Sequence, residues 1–329
     1  TTEIYTLSLH DALPIYYVPQ FLLRRFADAR GRLSVHRMTE QRAYKSNVRD
    51  IGHTNFGHTL YWPGVDPDHT FMETGMSDIE GAAATVSESL RNSRTRNVTP
   101  ENREVLGFLI ALQWARSRFH LNNLVTSVMG TASPSDELAK SIGVRQVYRS
   151  VLAPWYARKD DNSHPKESFC YIVDWLQHGP WSWRLYRPTV PKLVVSDNLV
   201  CMWGVADDAT SQLPAPWTYH GVALGFGNCA RITVPLAPDL GLVITRDSLS
   251  KSSPITAAAF NRATVYNSRE FVAHHPEGLP EVVLQSLRAD MITQRQILPI
   301  ILGATRSESE RVADELQRRT SSLAVEDIF

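Results

Sequence analysis

The 329-residue chain has little cysteine, no charge excess of either sign and no long apolar run. Its three cysteines, Cys170, Cys201 and Cys229, are odd in number and irregularly spaced. That excludes a disulfide framework and the paired spacing of a zinc motif, and it reads as reduced core thiols in a cytoplasmic protein. Lys and Arg total 34 against 34 Asp and Glu. Such a balance gives no footing to a nucleic-acid or membrane surface built on net charge, so a nucleic-acid contact would need a local patch. No apolar run approaches the roughly 18 residues of a spanning helix; stretches such as 105–115 are broken by polar residues and read as core helix. What the chain does have is apolar content, 43% by count, enough for one large core or two modest ones.

The opening fifteen residues, TTEIYTLSLHDALPI, back-translate without a mismatch into a stretch of a common sequencing-library adapter. Residues 1–15 are therefore read as adapter-derived, and the native chain as starting at or near Tyr16. The adapter carries one further base into codon 16, and one base separates tyrosine from histidine, so Tyr16 is read as standing where the gene carries His. Ser8, His10 and Asp11 have the composition of a hydrolase triad, but they fall inside this segment.

Periodicity divides the rest. Val18, Leu22 and Phe26 recur at helical spacing after Pro19, and Asp28 and Gly31 end that short helix. Residues 32–38 alternate like a strand, and 43–70 reads as mostly loop, rich in Gly, Asn, Asp, Pro and His. Ser77 to Glu80 has the pattern of a capping box opening a helix, and Thr99-Pro100 caps another whose stripe runs through Val105, Leu109, Leu112 and Arg116. Further helices are predicted over 138–157 and 166–177, the second stopped by Gly179-Pro180. From 192 the pattern turns β-branched, predicting strands over 192–203, 222–236 and 241–246, then a helix from Ser253-Pro254 and a strand near 270–273. Helices over 282–302 and 308–320 close the chain, packing on the body or on a second copy as a homo-oligomer. The expected fold is α+β: a mainly helical first half packed on a small, mostly antiparallel sheet, with a helical C-terminal tail. It is expected to form one domain over 16–275, with 276–329 as an extension.

Tyr17-Val18-Pro19-Gln20-Phe21-Leu22-Leu23-Arg24-Arg25-Phe26-Ala27 resembles the opening of a bacterial family catalogued as domain-of-unknown-function family 4238, which typically starts His-His-Tyr-Val-Pro-Gln. Asp78-Ile79-Glu80, Gln113 and Arg116, Ser196-Asp197-Asn198, Pro235 to Pro238 and Asn261 follow in the family's order. The family's paired histidines would fall on Ile15 and Tyr16, the adapter junction, and Leu199 replaces the proline that usually follows Ser-Asp-Asn.

Two readings of these landmarks are open. In the first, Glu80, Arg116, Asp197 and Asn198 are catalytic, with Tyr16 (as histidine), Gln20, Gln113, Ser196 and Asn261 binding around them. The carboxylates and the lost imidazole would hold a divalent cation or run acid–base chemistry on a phosphate-bearing substrate, as a hydrolase or nuclease does. In the second, the same residues are structural: Glu80 closes its capping box or pairs with Arg116, and Asp197-Asn198 turns the chain after a strand. The protein is then a non-catalytic ligand-binding or interaction module. His53, His58 and His69, and His274-His275, read as solvated rather than metal-binding. Arg24, Arg25, Arg30, Arg32, Arg91, Arg94 and Arg96 read as wet helix and loop faces, and without interleaved exposed aromatics they give nucleic acid weak support. Gly225-Phe226-Gly227 reads as a turn.

Overall fold

A computed structural model describes residues 14–40, 43–55, 60–62, 65–68, 71–93, 95–117, 146–159, 171–190, 192–205, 218–221, 224–249, 255–297 and 299. Strand β1 (Pro14–Tyr16) leads into helix α1 (Gln20–Arg25), with Pro19 as N-cap and Val18, Leu22, Leu23 and Phe26 fully buried. Asp28 turns the chain into β2 (Arg32–Arg37) by accepting from the amides of Arg30 and Arg32 and pairing with the Arg32 guanidinium at 2.9 Å. These donors, the Arg32 amide first, hold its carboxyl below the usual carboxylate range.

The segment expected as loop instead holds short strands: β3 (Tyr44–Asn47), β4 (His53–Asn55), and the hairpin β5 (Leu60–Trp62) with β6 (Val65–Asp68). Strands this short carry too few alternations to register against the Gly, Asn and Pro between them. Helix α2 (Phe71–Asn92) starts before the predicted capping box, so Ser77 to Glu80 lies within the helix and the box does not form. Helix α3 (Pro100–Ala115) begins as predicted, with Thr99 Oγ1 accepting from the Asn102 amide at 3.4 Å. A π-helical turn at Tyr148–Leu152 runs into α4 (Ala153–Lys159), and α5 (Tyr171–His178) stops at Gly179.

Strand β7 (Trp181–Tyr186) was not anticipated. The single strand predicted over 192–203 is two, β8 (Val195–Ser196) and β9 (Cys201–Val205), and they join different sheets. Strands β10 (Cys229–Ala237) and β11 (Leu240–Arg246) follow. Helix α6 (Ala257–Asn267) is capped by Thr256 rather than Ser253, and β12 (Phe271–His274) precedes α7, a helix over 281–297. The helix predicted over 308–320 lies outside the described residues.

Among the described residues all strand pairings are antiparallel. One four-stranded sheet runs β3-β2-β12-β8, the other β7-β11-β10-β9, and the architecture is α+β. One face of the first sheet (Leu33, Val35, Phe271, Ala273, Val195) enters the main core with α1, α2 and α3. Its other face, with Val272, lies under Leu287 and Met291 of α7. The tail helix therefore packs on its own body. Among the described residues no helix is long and apolar enough to cross a membrane.

Candidate functional site: a buried polar chain

Glu80 lies on α2 and Arg116 at the C-cap of α3, and the fold brings them together. Arg116 is 2% exposed, and its Nη2 donates to Glu80 Oε1 at 2.5 Å. The ion pair expected between them is thus present. A guanidinium buried this deeply must have its donors satisfied, and Gln113, one turn earlier, continues the task. With its amide nitrogen donating to the Tyr17 carbonyl at 3.1 Å, its oxygen accepts from Arg116 Nη2 (2.5 Å) and Nε (3.1 Å).

Tyr17 is the hub that sequence reasoning passed over. Its amide donates to the Gly52 carbonyl at 2.8 Å, its carbonyl accepts from Gln113, and its phenol donates to Glu270 Oε2 at 2.5 Å. Gly52 has φ +69, and a Cβ there would come within 3.2 Å of Val18, so a side chain would disturb this approach. Glu270 sits in the turn between α6 and β12, and that turn is organised by Asp197. One carboxylate oxygen of Asp197 lies 2.9 Å from Ser268 Oγ and accepts from the amides of Arg269 (3.1 Å) and Phe271 (3.2 Å). Burial pushes its pKa up, against the opposing pull of these donors. The Arg269 guanidinium beside it donates to the carbonyls of Tyr266, Ser268 and His220, and burial pulls its pKa down.

The neighbouring landmarks are engaged as well. Ser196 Oγ donates to the Asn198 carbonyl at 2.9 Å, and Asn198 Nδ2 to the Asn267 carbonyl at 3.3 Å. Asn267 Nδ2 faces the carbonyls of Met202, Tyr219 and Ala263. Its Oδ1 sits 2.1 Å from where a Cβ of Gly221 (φ +70) would stand, so only glycine fits there. Asn261 supplies α6 with a peptide-like edge, its Oδ1 accepting from the Val194 amide at 3.2 Å and its Nδ2 donating to the Lys192 carbonyl at 2.8 Å. Gln20 Oε1 accepts from Arg24 at 2.9 Å, while its Nε2 is buried with no partner among the described residues. Tyr16 pairs through its backbone with His53; its side chain lies outside the described residues.

Among the described residues, the predicted site residues fall into separate hydrogen-bonded groups. Glu80, Arg116, Gln113 and Tyr17 form one run of hydrogen bonds, and the Tyr17 phenol carries it across to the Glu270 turn that Asp197 holds. Among the described residues, no three of His, Cys, Asp and Glu gather as a metal site. The basic surface is partly neutralised: Arg25 pairs with Glu88 (3.2 Å), Arg32 with Asp28, and Arg91 with Asp239 (3.0 Å). His274 is a correction. Expected in solvent, it is 4% exposed, with its Nε2 3.2 Å from the Nε2 of buried His36, because strand pairing and α7 enclose both. Of the residues missed, Tyr17 was signalled by its place in the opening motif. Ser268, Arg269 and Glu270 gave no signal, since a turn residue has no period, and Asn267, the last residue of α6, gave none because its partners come from distant segments.

Antiparallel sheets packed with helices define an α+β protein in which Glu80, Arg116 and Gln113 engage one another while Asp197 and Asn261 hold backbone groups of neighbouring segments. The chain belongs to the family described as Protein of unknown function (DUF4238), whose sequence model matches residues 17–278. The match ends before α7. No curated protein and no solved structure matches the chain.

Proposed function

We propose that the protein is a non-catalytic ligand-binding or interaction module, in which the family landmarks fix the fold that presents the binding surface. The observation that carries this reading is the engagement of both landmark carboxylates, Glu80 by Arg116 and Asp197 by Ser268 and two backbone amides. A hydrolase or nuclease needs a carboxylate with lone pairs directed at a metal or a water, and polar networks that are fully satisfied specify a unique fold. The ligand classes to present are phosphate-bearing small molecules first and nucleic acid second, since Arg24, Arg30 and Arg96 are exposed at the surface. We place the protein in the cytoplasm, on the strength of the free, buried thiols of Cys201 and Cys229.

The test uses the Tyr16→His chain, which restores the histidine we infer at the adapter junction, and follows hydrolysis of bis(p-nitrophenyl) phosphate with Mg²⁺, Mn²⁺ or Zn²⁺. No metal-dependent turnover is expected, and Asp197→Asn should lower the melting temperature. Turnover that vanishes in Asp197→Asn at an unchanged melting temperature would overturn the reading in favour of the hydrolase.

A further inference from the structure

Helix α7 lies over the sheet face that carries the His36–His274 pair. Its inward face is short. Leu287 and Met291 meet Met38, Val194, Val265 and Val272, and Gln294 Nε2 donates to the carbonyls of Tyr266 (3.0 Å) and Ser268 (3.1 Å). Asp290 pairs with Arg262 of α6 at 3.2 Å, and Arg295 donates to the Arg37 carbonyl (3.0 Å), next to His36 in the chain, and to that of Glu40.

The imidazoles beneath are wired as a neutral pair. His274 Nδ1 lies 2.7 Å from the His275 carbonyl, which accepts only, so Nδ1 carries the proton and Nε2 is an acceptor. His36 Nε2 therefore donates to it across 3.2 Å. A proton added here creates an imidazolium among groups that do not welcome it. From α7, Arg288 and Arg295 act on His36, and Arg288 on His274 as well. His275 follows on β12, Arg37 continues β2, and Lys45 of β3 pairs with Ser34 on the face that carries His36. Of the carboxylates of α7, Glu281 lies 3.6 Å from Arg288 itself, and Asp290 pairs with Arg262.

We propose that α7 is an acid-released strap: a proton on the His36–His274 pair, buried at 6% and 4% exposure, is a charge cut off from water, and lifting the helix over 281–297 from the sheet hydrates it, leaving the body it covers folded. Release uncovers Met38, Val194, Val265 and Val272, an apolar face closed at neutral pH. Burial agrees with this direction, holding the His36 pKa down to about 4 and that of His274 below the ordinary value. The device does not depend on the binding reading above.

The experiment is hydrogen–deuterium exchange of the full chain at pH 7 and pH 4.5, corrected for intrinsic rates. Peptides from 281–297 should lose protection by roughly tenfold or more at the lower pH, while α3 stays protected. In His36→Leu/His274→Leu the difference between the two pH values should disappear. Should that double variant fail to fold, Arg288→Gln, at an exposed position, is expected to move the release midpoint to lower pH by a few tenths of a unit, as removal of a nearby cation requires. Equal protection at both pH values, simultaneous loss in α3, or an unmoved midpoint in Arg288→Gln overturns the proposal. So does protection of 281–297 conferred by equimolar Zn²⁺ in the wild type and absent from the double variant, which would make the pair a metal-ligand set.

Discussion

The α2–α3 junction and the sheet face under α7 each keep a polar pair away from water, and they do so by opposite means. At the junction the pair is charged, Arg116 against Glu80 at 2.5 Å, with Gln113 taking further guanidinium donors. Under α7 it is neutral, two imidazoles sharing one N–H at 3.2 Å with guanidinium groups near by. The first arrangement fails when a side chain is removed, because the partner's charge stays behind. The second fails when a proton is added, because no counter-charge waits for it. One region is therefore built to be permanent and the other to depend on conditions.

The largest effect that would separate them is Arg116→Ala, expected to cost about 3 to 5 kcal/mol in urea unfolding because it strands Glu80 and Gln113. A cost below ~1 kcal/mol would mean that the junction is no stronger than a surface pair. Next comes pH. The folded His36 has its pKa lowered to about 4 from 6.5, so between these values the unfolded chain binds a proton that the folded chain does not. Stability is then intact above pH 6.5 and falls as pH drops towards 4, by about 3 kcal/mol at most from this group. Urea midpoints at pH 7 and 4.5 measure it, and an equal drop in His36→Leu would assign the loss elsewhere. Asp197→Ala should cost roughly 2 to 3 kcal/mol, since it leaves the amides of Arg269 and Phe271 without an acceptor. Smallest is Tyr17→Phe, at roughly 1.5 kcal/mol for one hydrogen bond to a carboxylate; no loss would mean that the two halves of the polar chain are not joined through the phenol.

The sequence made the helices legible where caps and stripes coincide, as at Thr99-Pro100 and along Leu109 and Leu112. It misled where a local pattern competed with tertiary context. The Ser77 to Glu80 pattern opens no helix, because α2 begins earlier at Phe71 and Glu80 is taken by Arg116. The run over 192–203 looks like one strand because periodicity cannot show that Asp197 turns the chain from one sheet to the other. Family order singled out Gln113, Arg116, Asp197 and Asn261 as catalytic or binding residues, and each of them makes side-chain hydrogen bonds in the fold. The partners themselves, Tyr17, Ser268 and Asn267, come from distant segments, and only the fold supplies them.

Whether Glu80 and Arg116 hold each other, as their 2.5 Å contact implies, is measured by a double-mutant cycle of Glu80→Leu and Arg116→Met in urea unfolding at pH 7. The double variant is expected to recover most of what Arg116→Met loses, a coupling of about 2 kcal/mol or more. Additive losses, with coupling near zero, would mean that Glu80 and Arg116 serve something other than each other.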